Sequence, residues 1–173
     1  TTEVEPFHSV AVRLGRDYIQ ISLHDLGGRE LAFQQQDLNY SDQSDLTQGL
    51  VNNLKAFIAE HQPKIDQLIA IGVTLPGLVN PTTGVVEYMP NTDIDNLALS
   101  DIIRDTFHVA CFVGNDVRGM ALAEHYFGAS KDSQDSILVS VHRGTGAGII
   151  VNGQVFLGHN RNVGEIGHIQ IDP

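Results

Sequence analysis

The chain has 173 residues and 42% of them are apolar, enough to enclose a packed core in one domain or one and a half. Its 21 Asp and Glu against 10 Lys and Arg leave a formal charge of -11 with no basic stripe, which excludes a nucleic-acid grip by this segment itself. An apolar run of roughly 18 residues and a secretory start are both missing, so the sequence reads as soluble and cytoplasmic, with no membrane partner. Its single cysteine, Cys111, lies in an apolar stretch, where it excludes an intrachain disulfide framework and reads as a small hydrophobe.

Residues 9–14 and 18–23 read as strands joined at Gly15-Arg16-Asp17, and residues 31–35 as a third strand after a turn over 25–29, an antiparallel meander. Then the period changes. Leu46, Leu50, Leu54, Phe57 and Ile58 recur at helical spacing behind N-caps in 42–44, and the helix stops near Pro63. The continuous apolar run 68–73 predicts a central parallel strand that ends at Thr74-Leu75-Pro76-Gly77, which puts Gly77 at a strand-end crevice. Leu78-Val79 and Val85-Val86 flank a turn as a hairpin, and Pro90-Asn91-Thr92-Asp93 is polar loop. Leu99, Ile102, Ile103 and Phe107 predict a second helix behind Ser100.

Residues 109–113 read as a strand covered on both faces, and Val117, Met120, Ala121 and Phe127 as a third helix that stops at Gly128. The small, polar stretch 128–136 is where a crossing between two subdomains is expected. Beyond it lie a strand at 137–141, a glycine-rich bend at 142–148, and two strands joined by Asn152-Gly153. A β-meander thus opens twice. That duplication points to an α/β protein with two like-folded lobes, the second only begun.

Three motifs carry chemistry. Gly114-Asn115-Asp116 falls where a strand hands over to a helix, so the pair is either a helix cap or, at a strand-end crevice, a carboxylate that takes a proton from a bound hydroxyl. Gly144-Thr145-Gly146-Ala147-Gly148 is either a phosphate nest or a tight hairpin; it lacks the Lys and Ser or Thr of a P-loop, and the hairpin is favoured. Gly164-Glu165-Ile166-Gly167-His168 sets a carboxylate and an imidazole three residues apart between glycines, suited to accepting hydrogen bonds from sugar hydroxyls, or to zinc at His168.

Together with Leu75-Pro76-Gly77, Met89-Pro90-Asn91 and Ala121-Leu122-Ala123-Glu124, these motifs resemble the ROK family of repressors and sugar kinases over nearly the whole chain. The resemblance implies the actin-like, ribonuclease-H-like two-lobed fold, with residues 1–130 as an N-terminal lobe and 131–173 as the start of the C-terminal one. In the family's kinases the Asp matching Asp116 is the general base on the sugar 6-hydroxyl, and residues matching Asn115, Glu165 and His168 hold other hydroxyls. The resemblance further implies a zinc held by His168 with cysteines beyond residue 173, and a DNA-binding helix-turn-helix domain outside this chain in a homo-oligomer.

Two departures favour a sensor over a kinase. The family's kinases carry Asp-x-Gly-Gly-Thr in the first hairpin, where this sequence has Arg13-Leu14-Gly15-Arg16-Asp17; an arginine cannot ligate Mg²⁺, and no ATP is expected here. His142-Arg143-Gly144 also replaces the kinases' second Gly-Thr-Gly. The function this resemblance implies is the effector-sensing core of a repressor of amino sugar use, induced by N-acetylglucosamine 6-phosphate. The sugar is expected between the lobes on Asn115, Asp116, Glu165 and His168, with Gly77 and Asn91 lining the cleft and His142 or Arg143 answering the phosphate. The alternative is a hexose or N-acetylhexosamine kinase with Asp116 as its catalytic base.

Overall fold

The computed structural model describes residues 6–142, 144–158 and 163–170. They fall into two compact units, Thr1–Gly114 and Asn115–Pro173. The division comes before the polar stretch 128–136 in which the sequence sets the crossing, because the third helix packs on the strands that follow it.

The first unit is built on a five-stranded sheet. Strands β1 (Phe7–Leu14), β2 (Tyr18–Asp25) and β3 (Glu30–Asp37) form the expected antiparallel meander, each longer than its apolar stretch. Alternation along them buries Val10, Val12, Leu14, Ile19, Ile21 and Leu23 on one face. Helix α1 (Gln43–His61) covers that face with Leu46, Leu50, Leu54 and Phe57, all fully buried. Its start is fixed by Asp42, whose Oδ1 accepts the Asp45 amide at 2.8 Å. Strand β4 (Gln67–Leu75) pairs parallel with β1 and contributes Ile71, Val73 and Leu75 to the same core.

Three short strands, β5 (Leu78–Val79), β6 (Val86–Tyr88) and β7 (Asp95–Leu97), form a separate antiparallel sheet. The last of these is invisible in the sequence, because Asp95 and Asn96 are poor strand formers held by pairing with β6. Helix α2 (Leu99–Phe107) begins one residue earlier than expected, on Ala98 with no side-chain cap. Ser100 is therefore inside the helix, where its hydroxyl donates to the Cys111 carbonyl at 3.0 Å.

Strand β8 (Ala110–Asn115) completes the order β3-β2-β1-β4-β8 as an edge strand. The expectation of a strand covered on both faces is corrected here: Val113 is buried, but Phe112 is 68% exposed. Alternation along β8 turns Val113 to the core and leaves Ala110 and Phe112 on an exposed face, so the apolar run does not mark burial on both faces.

The second unit has helix α3 (Asp116–Phe127) packed on strands β9 (Ser136–Val141) and β10 (Thr145–Val151), with β11 (Gln154–Val155) at the edge. Asn152 and Gly153 both take positive φ, 51° and 73°, as a two-residue hairpin turn requires. A single 3₁₀ turn, Ile166–His168, closes the described part of the unit against β10.

Candidate functional site

The handover from β8 to α3 is built by Asn115. Its backbone is extended, and its side-chain oxygen accepts the Arg118 amide at 3.1 Å, so the capping reading of this residue is realised. Asp116 opens the helix, and its Oδ1 accepts the Val117 amide at 2.9 Å. Both side chains are half-buried. The two oxygens of Asp116 give this end of the helix acceptors for a hydroxyl donor.

The second part of the site reaches α3 through β10. The Ala147 amide donates to the Gly164 carbonyl at 2.7 Å, tying the turn before Glu165 to the strand. Gly164 has φ of 96°, and a Cβ there would collide with the Ala147 carbonyl. A Cβ on Gly167 would come within 2.6 Å of the Thr145 carbonyl. The two glycines of this motif thus let a loop lie flat against β10, and they leave Glu165 and His168 exposed beside it.

Arg118 joins the two parts, and nothing in the sequence reading pointed to it. It is half-buried in the first turn of α3, three residues from Asn115, with Nη2 3.5 Å from the Val163 carbonyl. Burial pulls its guanidinium pKa down, and the charge of Glu165 pushes it back up. The available signal was the spacing: position 118 lies on the face of the helix that carries 115.

The glycine-rich bend contracts to a tight turn. The His142 amide donates to the Gly144 carbonyl at 2.9 Å, and the strand resumes at Thr145. Gly146 and Gly148 are strand residues, and the smallness of Gly148 serves packing. A Cβ on Gly148 would meet the Ala121 Cβ at 2.5 Å and the Val117 carbonyl at 2.8 Å. His142 is exposed beside this turn; Arg143 lies outside the described residues.

A profile of the ROK family matches residues 9–173. The chain belongs to the ROK family. It is 52% identical over 172 residues to the DNA-binding transcriptional dual regulator NagC of Escherichia coli, a match spanning 99% of this chain and 42% of that protein. Among solved structures, a ROK-family transcriptional regulator described as a homologue of E. coli Mlc superposes with a TM-score of 0.94 at 42% identity, over 99% of this chain and 43% of the other. A ROK glucokinase from Streptomyces griseus, solved with glucose and AMPPNP, superposes with a TM-score of 0.81 at 25% identity, over 96% and 51%. The actin-like fold of the sequence reading is thereby the fold of the chain, which spans less than half the length of its curated relatives.

In the first unit of this ROK chain, Gly77 has φ of 136°, and a Cβ there would collide with the Tyr88 carbonyl. Asn91, two residues after Met89, is exposed with φ of 60°, so the first unit gathers both of its expected residues around the β6 terminus. The first hairpin is closed by its own side chains: Tyr18's ring sits where a Cβ on Gly15 would be, and the Tyr40 hydroxyl donates to the Gly15 carbonyl at 2.6 Å. Among the described residues no three His, Cys, Asp or Glu side chains gather as a metal site. A zinc on His168 therefore needs donors from elsewhere. Cys111 is half-buried, and burial pushes its thiol pKa up, as a packing residue requires.

Proposed function

We propose that this chain is the effector-sensing core of a ROK transcriptional repressor of amino sugar use, with N-acetylglucosamine 6-phosphate as inducer. In this reading Asn115 and Asp116 at the head of α3, and Glu165 and His168 beside β10, hold sugar hydroxyls; Gly77 and Asn91 are further proposed ligand contacts. His142 and Arg143 answer the phosphate. Sugar binding shifts an equilibrium between two conformations of a homo-oligomer, by the difference in affinity between them, and so the spacing of DNA-binding helix-turn-helix domains outside these residues.

The observation that carries the reading is the contrast between two sites. At the hairpin turn of residues 15–17 the Tyr18 ring lies over Gly15, and the bulky, charged Arg16 and Asp17 take up the turn, which supports a sensor over a nucleotide site. The helix-start and loop carboxylates, which a sugar needs, are both kept. NagC's 52% identity supports the same reading, and its printed description makes it a DNA-binding regulator.

The test is calorimetric titration of the full-length protein with N-acetylglucosamine 6-phosphate, with the free sugar, and with ATP plus Mg²⁺. The expected result is heat from the phosphosugar and none from ATP. ATP binding with turnover of the free sugar, abolished in Asp116→Asn, would overturn it in favour of a kinase.

A further inference from the structure

Arg118 is the cation that links the helix-start pair to the loop carrying Glu165, and it is one that neither motif contains. It is anchored at both ends. Its amide is held by Asn115, so the first turn of α3 fixes where its side chain departs. Its guanidinium reaches the Val163 carbonyl, two residues before Glu165, and lies within the field of the Glu165 carboxylate. The loop is also tied to β10 by the Ala147–Gly164 hydrogen bond and by the packing of Gly164 and Gly167. Those fix the loop's backbone on the strand. They do not fix the exposed carboxylate of Glu165.

A planar guanidinium suits this task better than an ammonium, because it can offer separate N–H groups to a carbonyl and to a carboxylate at once. Its burial makes the arrangement matter more. The half-buried guanidinium meets the loop at the Val163 carbonyl, which sets the backbone that carries Glu165 against α3. We propose that Arg118 is a positioning residue: it holds the loop 163–168 and its Glu165 carboxylate against the head of α3. The carboxylate thereby stands ready for a sugar hydroxyl beside Asn115 and Asp116.

This proposal rests on the sugar-sensing reading for its ligand, while its mechanical part stands apart from it. Two measurements on the full-length protein separate them. Amide hydrogen exchange compares wild type with Arg118→Met, which keeps the aliphatic stem, and with Arg118→Lys, which keeps the charge. Faster exchange in Arg118→Met confined to the described loop 163–170, with the strands β1 and β4 unchanged, is expected; unchanged exchange in the loop would overturn the proposal whatever the ligand.

The second measurement is calorimetric affinity for N-acetylglucosamine and its 6-phosphate. Arg118→Met is expected to weaken both sugars by the same factor, on the order of tenfold, as loss of a residue that orients a ligand-holding group does, and Arg118→Lys to recover part of the loss. A loss confined to the phosphosugar would mean that Arg118 touches the phosphate, and would overturn the positioning role. Unmoved affinities in a wild type that binds would do the same. Should the loop open in Arg118→Met while the wild type binds neither sugar, the sugar reading fails and the tie between Arg118 and the loop is upheld.

Discussion

Asn115 carries a structural role and a proposed binding role on one side-chain amide, and substitutions separate them. Removing its cap on α3 in Asn115→Ala should cost about 1 kcal/mol in chemical denaturation, because the Arg118 amide loses its acceptor. Asn115→Ser keeps a capping oxygen and should recover most of that stability. If Asn115 also holds a sugar hydroxyl, the serine variant stays stable and still binds the phosphosugar more weakly; an unchanged affinity would leave it as a cap alone. Tyr40 sets a second residue-scale expectation. Burial pushes its hydroxyl up from 10.0 to about 12, so the folded state holds the proton more tightly than the unfolded chain does. The stability this contributes is complete below pH 10 and is lost as pH rises toward about 12. Denaturation across that window should show the loss in wild type and not in Tyr40→Phe. The phenylalanine variant should also be weaker by about 1 kcal/mol at neutral pH, having lost the bond to the Gly15 carbonyl.

Among the elements, what the sequence made legible follows from how much local information each one holds. Helix α1 announces itself through four fully buried residues at helical spacing and an Asp cap, and the Asn152-Gly153 hairpin through a turn that demands positive φ twice. Strand β7 and the start of α2 had no such signal, since Asp95, Asn96 and Ala98 are placed by what they pair with or follow. The glycines of 144–148 left two readings open for a related reason, since a missing side chain looks the same in sequence whether a phosphate or a helix comes close, and the favoured hairpin is the one observed. In the structure the close neighbour is α3. Gly148→Ala is therefore expected to push α3 off β10, since the new methyl meets the Ala121 Cβ and the Val117 carbonyl, backbone that cannot turn away. The cost should be about 1–3 kcal/mol, read by thermal denaturation, whereas Gly144→Ala, with nothing within 4 Å of its added Cβ, should be close to neutral. The site was legible in the same uneven way. Asn115, Asp116, Glu165 and His168 stand out as candidates by residue type and by the family resemblance, whereas the Arg118 contact with the Val163 carbonyl belongs to no motif and could be seen only in the structure.

For the whole chain, the governing quantity is charge. With a formal charge of -11, the chain repels any polyanion at long range, and neutralising a duplex needs clustered Lys and Arg that its 10 cationic residues do not supply. NagC is described as DNA-binding, and this chain matches 42% of it, so family membership alone does not say whether the matched part touches DNA. The charge does. Residues 1–173, prepared by themselves, should show no affinity for a fluorescently labelled duplex by anisotropy at any salt between about 50 and 200 mM, a range over which a phosphate-gripping protein changes its affinity by orders of magnitude. Binding that weakens steeply with added salt would reveal a basic surface that the composition hides. A flat, featureless titration would show that these residues alone do not grip a duplex, as their charge requires.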